Sequence, residues 1–190
     1  ASPTFVGMKW RRILQISMQA LTGTVFLFSA LSKLPVMEPF GWTVVETSFL
    51  HWTAAEWAVR LLIGSEFFIG SLLLIQLGVK RLALPLAWAS LLFYSVYLLL
   101  ILKQYGNHGN CGCFGEWLPM TPVQSLLKNG ALLLICFILQ RHPFEWRFRF
   151  HAVLTSVLFV LSMALPFFEH PPESFFIYPS DKTKAHPLPL

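Results

Sequence analysis

Two cysteines separated by a single glycine stand in the stretch Asn110-Cys111-Gly112-Cys113-Phe114-Gly115. Thiols this close can join only through a very small ring, and Gly112, with no Cβ, is the residue best able to bend that tightly. A disulfide strained in this way has a high reduction potential, which makes it labile or catalytic and not a passive staple. Thiol–disulfide redox chemistry is therefore the first reading. Two others stay open on the residues alone. One takes Cys111 and Cys113 as ordinary small loop residues. The other takes them as ligands for soft Cu(I), or as half of a zinc site completed by His108. One nearby histidine and no second cysteine pair weigh against a metal. In the redox reading, Lys103 and His108 are the neighbours able to lower the pKa of one sulfur and raise its thiolate fraction. The third cysteine, Cys136, lies well down an apolar stretch, at ~1.5 Å per helical residue. That puts it out of bonding reach, and it reads as a small buried hydrophobe.

A second set of chemistry-bearing residues lies inside apolar sequence. Glu66 sits in Gly64-Ser65-Glu66-Phe67-Phe68-Ile69-Gly70. A carboxylate within a membrane span is costly, faces the protein interior and marks a functional position by default. Lys33 is its expected partner. The pair could simply fasten two helices, or it could line a proton route or a quinone or thiol site. Arg60 follows Glu56 by one helical turn, at the spacing of an i,i+4 pair. Gly64 and Gly70 are expected to let helices approach closely. Most of the 18 Phe, 7 Trp and 4 Tyr residues are expected to face lipid or the interface. Phe114, Trp117 and Tyr105 are the aromatic neighbours placed to shield a strained disulfide or stack on a flat ring. The six histidines, His51, His108, His142, His151, His170 and His186, include no pair with the spacing of a haem or metal helix.

The elements that must position these groups follow from composition. The 190 residues are 55 % hydrophobic and 12 % charged, against about 25 % charged in a soluble domain; mean hydropathy is +0.61. The net charge of +5 is scattered in short groups and lacks the aromatic interleaving of a nucleic-acid site. Five apolar stretches approach the roughly 17–25 residues a membrane-crossing helix needs: about 13–34, 58–77, 82–102, 123–140 and 152–168. Unpaired backbone groups are prohibitively costly in lipid, and no segment alternates with period two, so each stretch is expected to be an α-helix. The expected fold class is an all-α integral membrane protein, a four-helix transmembrane bundle with a fifth C-terminal transmembrane helix. The bundle occupies residues 1–169. Residues 170–190, with Pro171, Pro172, Pro179, Pro187 and Pro189, form an extended tail. The loop from Pro35 to Trp57 is too polar to span and too aromatic to be an idle linker, and predicts a short amphipathic helix at the interface.

Orientation comes from the basic residues. Lys9, Arg11, Arg12, Lys80, Arg81, Arg141, Arg147 and Arg149 lie on one side; Lys33, Arg60, Lys103, Lys128, Lys182 and Lys184 lie on the other. The first side is read as cytoplasmic. That places the N-terminus inside, and the Cys-Gly-Cys loop and the tail outside. In a bacterium this means the inner membrane and the oxidising periplasm, where disulfides persist. The first span is too long for a cleaved signal peptide, and no small-x-small cleavage site follows Leu34. The chain opens on Ala1 and not on Met, which leaves its native start open.

These residues resemble the MauE branch of the DoxX-like membrane proteins. The matching stretches are Phe28-Ser29-Ala30-Leu31-Ser32-Lys33-Leu34, Arg60-Leu61-Leu62-Ile63-Gly64-Ser65-Glu66 and Asn110-Cys111-Gly112-Cys113-Phe114-Gly115-Glu116. Thr121-Pro122 and Leu127-Lys128-Asn129 follow. The resemblance implies a small helical bundle in the cytoplasmic membrane that works with a periplasmic thioredoxin-like partner in maturing disulfide-containing proteins. It makes Cys111 and Cys113 the redox pair and Lys33, Arg60 and Glu66 the family's polar positions. The wider DoxX group includes quinone-linked subunits, which keeps a quinone open as acceptor. The fifth helix and the Pro-rich tail depart from the minimal four-helix pattern. Two functions remain in play: a thiol–disulfide relay through Cys111 and Cys113, and a non-catalytic accessory subunit of a larger membrane complex, in which the two cysteines only clip a loop.

Overall fold

The computed structural model describes residues 5–47, 51–107, 114–115, 117–141, 143–145 and 150–169. His108, Cys111, Cys113 and the expected tail at 170–190 lie outside the described residues. Among the described residues all regular structure is helical. Helix α1 spans Phe5–Lys33, and a 3-10 turn at Leu34–Val36 leads into α2 at Met37–Thr47. Helix α3 spans Trp52–Ile75, α4 Leu84–Tyr105, α5 Pro122–Arg141 and α6 His151–Glu169. Five of these segments are long and apolar enough to cross a membrane. The sixth, α2, is the short helix expected in the loop after Pro35.

Helix α3 is the centre. Most of its residues between Ala55 and Leu73 are buried, while Trp57 and Leu61 stay exposed. It packs against α1, α2 and α6, while α5 joins α4 to α1. Helix α3 begins six residues before the apolar stretch read from the sequence. The added turns are possible because Glu56 and Arg60 satisfy each other inside the helix, at 2.8 Å.

Two devices set the packing. In α4 the buried residues are Leu84, Ala87, Leu91, Tyr94, Leu98 and Ile101; in α5 they are Pro122, Ser125, Asn129, Leu132, Cys136 and Leu139. Both series step by three and four, the seam of left-handed helix pairing. Between α1 and α3 the device is absence of side chain. A Cβ at Gly23 would lie 2.9 Å from the carbonyl oxygen of Gly70, and one at Gly70 would lie 2.9 Å from that of Gly23 and 2.7 Å from Leu27. Backbones that close are the small-residue contact typical of membrane helices.

The turn between α3 and α4 reverses the chain within a few residues. Gln76 and Gly78 take φ of 59° and 57°, and a π turn at Val79–Ala83 follows. Pro85 sits in the first turn of α4, where its missing N–H costs nothing. Helix α5 opens with a reciprocal cap. The Gln124 N–H donates to Thr121 Oγ1 at 3.4 Å and the Thr121 N–H to Gln124 Oε1 at 3.0 Å, the capping-box arrangement. The Val123 N–H donates to Asn107 Oδ1 at 3.2 Å, so the residues just past α4 are tied to the start of α5.

Gly70→Leu should overpack the α1–α3 contact and cost about 1–3 kcal/mol. Thermal unfolding in detergent should show a clear fall in Tm. Gly130→Ala, where an added Cβ meets nothing within 4 Å, should leave Tm unchanged or raise it.

Candidate functional site

The helices described above converge on a buried polar layer. Helical side chains lean toward their own N-termini. Helices α1 and α3 run antiparallel through the Gly23–Gly70 contact, so Lys33 leans down along α1 and Glu66 leans up along α3. Lys33 Nζ meets Glu66 Oε1 at 2.5 Å, with each residue only 2 % exposed. The partnership expected from the sequence is therefore present. The layer lies between two apolar clusters. One is built from Ala30, Met37, Phe40, Val59, Ile63 and Phe67, the other from Phe26, Ile69, Leu72, Leu91, Leu132 and Cys136 with their neighbours. Cys136 is thus a core residue, fully buried.

The ion pair is surrounded by π-systems as well as charge. Lys33 Nζ lies 4.6 Å from the ring centre of Tyr94 and 5.8 Å from that of Phe40, within the range of cation–π attraction. A cleft opens at this point between α1, α3, α4 and α5. Ser29, Lys33, Glu66, Tyr94, Lys128 and Asn129 supply its polar lining. Asn129 Nδ2 donates to Ser95 Oγ at 3.4 Å, which fastens α5 to α4 beside it. The second carboxylate oxygen, Glu66 Oε2, is buried with no hydrogen-bond partner among the described residues.

The residues flanking the Cys-Gly-Cys sequence border this layer. Phe114 is buried, and its ring lies 5.3 Å from Phe28 and 4.0 Å from Lys128 Nζ. Gly115 takes φ of 56°, a left-handed conformation that glycine adopts without strain. It also sits against the end of α1, where any Cβ would overlap the carbonyl of Ser32. Both its backbone angle and its surroundings demand glycine. Trp117 packs edge-on to Phe28 at 6.0 Å but is 59 % exposed, and Tyr105 is exposed. Of the expected aromatic neighbours, Phe114 is therefore the one built into the protein.

Arg60 lies apart from the cleft. It pairs with Glu56 at 2.8 Å, donates to the Glu56 carbonyl at 3.1 Å and faces the Phe167 ring at 5.6 Å. The i,i+4 pair expected from the spacing is present, and both its members are buried. Lys33 and Glu66 are thus brought together, while Arg60 serves the packing of α3 on α6. Tyr94, Lys128 and Asn129 were not singled out as site residues by the sequence. Their signal was the three–four seam, which points Tyr94 and Asn129 inward. Among the described residues no group of three His, Cys, Asp or Glu side chains is placed to hold a metal ion.

A family described as Methylamine utilisation protein MauE matches residues 11–142. This range holds both cysteines of the Cys-Gly-Cys sequence and every residue of the cleft, and stops short of α6. The chain is also 32 % identical over 132 residues to "Protein TlpB" of Flavobacterium psychrophilum, which covers 66 % of the chain and 36 % of that protein. The chain thus spans about a third of the length of the curated relative it matches. No solved structure matches it.

Lys33→Ala should leave Glu66 buried without its partner and cost about 3–5 kcal/mol. Replacing both with Met should be close to neutral by comparison. Denaturation of the two variants in the same detergent checks the ordering.

Proposed function

We propose that this chain, which belongs to the MauE family, is a multi-pass membrane protein that exchanges disulfides through Cys111 and Cys113 with a thioredoxin-like protein outside the cytoplasmic membrane. The observation that carries the reading is the seat of Phe114-Gly115. Phe114, bonded directly to Cys113, lies over Lys128, and Gly115 after it is seated on the end of α1, beside the buried Lys33–Glu66 pair. A fastened anchor next to a Cys-x-Cys sequence suits a pair that must be presented to a partner in a fixed place. An idle loop would need neither the buried phenylalanine nor the obligatory glycine.

In the proposed reaction one thiolate of the pair attacks a sulfur of the partner's disulfide and forms a mixed disulfide. The partner's other sulfur leaves as a thiolate and takes up a proton. The second cysteine of the pair then displaces the first partner sulfur. The pair ends as a disulfide and the partner as a dithiol, with two electrons and two protons transferred. The same steps reversed oxidise the partner. A quinone is the lipid-soluble class of carrier that would reset the pair. The basic residues of the α3–α4 turn and of the α5–α6 connection support an orientation with the thiol segment outside, in the periplasm of a bacterial inner membrane. Helix α6, beyond the range the family matches, is read as an addition to the relay and not as part of it.

Cys111→Ser and Cys113→Ser should each abolish maturation of the client disulfides while shifting stability by less than about 0.5 kcal/mol. One of the two single variants should trap a mixed disulfide with the partner on a non-reducing gel. Membrane-impermeant thiol labels should reach the reduced pair in intact cells. Normal client maturation in the double Ser variant would leave the accessory-subunit reading in its place.

A further inference from the structure

Glu66 carries more than its partnership with Lys33 requires. One carboxylate oxygen holds the lysine; the other, Oε2, is buried and has no hydrogen-bond partner among the described residues. An acceptor left bare in an apolar interior costs on the order of 1–3 kcal/mol or more, so its retention calls for a ligand. Glu66 lines the cleft between α1, α3, α4 and α5. The cleft offers about 20 Å³ to the centre of a water-sized sphere, where ~10–15 Å³ suffices for one water. The lining also supplies the two to four polar partners such a water needs, through Ser29, Lys33, Tyr94 and Asn129 beside Glu66 itself.

We propose that the cleft holds a water on Glu66 Oε2 and that Glu66, through this water, is the proton acceptor of the bundle. The site stands on the cavity and the bare oxygen; its use rests on the thiol–disulfide reading above. When a thiol attacks, it gives up a proton, and the departing sulfur of the partner later needs one. Glu66 takes the first proton and returns it for the second, so no proton or electron is gained or lost by the site. The charges also balance. Moving a proton from thiol to carboxylate carries one negative charge from Glu66 to sulfur, and Lys33 keeps a counter-charge within the same low-dielectric region. The titratable groups facing Glu66 among the described residues are Lys33 from α1, Tyr94 from α4 and Lys128 from α5. Helix α2 contributes Phe40, and α6 meets this part of α3 with Ser162 and Met163 at Gly64. On α3 itself, Glu56 and Arg60 are engaged with each other.

The test uses the full chain in lipid nanodiscs. The infrared difference between wild type and Glu66→Gln should contain a carboxyl band that responds to pH and shifts within minutes of transfer to D₂O. Glu66→Gln should slow thiol–disulfide exchange by about 100-fold or more and flatten its pH profile, and Glu66→Asp should recover part of the rate. If Glu66→Gln fails to fold with Lys33 left unpaired, Lys33→Gln/Glu66→Gln removes both charges and should show the same flattened profile. A Glu66 band blind to pH and D₂O would overturn the proposal, as would an unchanged profile in these variants. If the band responds as expected but Cys111→Ser/Cys113→Ser matures clients normally, the water site stands and the thiol reading falls.

Discussion

A positive and a negative side chain placed in the middle of an apolar bundle can persist only if they find each other. A charge inside a membrane bundle is costly and calls for a partner. Lys33 and Glu66 meet that condition at 2.5 Å, and much of the architecture can be traced to keeping them there. Helices α1 and α3 must lie close and antiparallel, which the side-chain-free contact of Gly23 with Gly70 permits. Tyr94 and Phe40 must offer ring faces to the ammonium. Apolar clusters must close the layer from both sides, as Ile63 and Phe67 do on one and Ile69 and Leu72 on the other.

The same layer gives the thiol-flanking segment somewhere to sit. Phe114 covers Lys128 and touches Phe28, while Gly115 fits against the last turn of α1 because it has no side chain. The far ends of that segment are held as well, through Asn107 on the first turn of α5 and the Thr121–Gln124 cap. In the proposed exchange, a thiol segment with unanchored borders would lose affinity for a partner to the entropy of ordering it. Fixing its borders in advance reduces that loss. The anchor, the ion pair and the cleft share one set of side chains.

Much of this was legible before the structure. The membrane spans follow from run length and hydropathy, since lipid permits few alternatives to helix. The Lys33–Glu66 pairing follows from the cost of leaving either alone. The cleft was harder. Tyr94, Lys128 and Asn129 are ordinary in composition, and only the register of α4 and α5, read as a three–four seam, turns Tyr94 and Asn129 toward Glu66. The start of α3 was set late because Glu56 and Arg60 dilute the local hydropathy, and hydropathy cannot see that the two cancel. The depth of Arg60 was hidden for the same reason. That Phe114 and not Trp117 is the buried aromatic depended on how the chain turns at Gly115, which no periodicity encodes.

Helix α6 stands apart from this economy. Only Ser162 and Pro166 are buried along its length, and it meets α3 where Gly64 lets Met163 come near, through Van der Waals touch and ring edges such as Phe68 on Phe159. The range shared with the family closes before it starts. Helix α6 thus docks on the face of α3 turned away from the ion pair, so its removal would uncover Gly64 and Phe68 while leaving Lys33 and Glu66 paired.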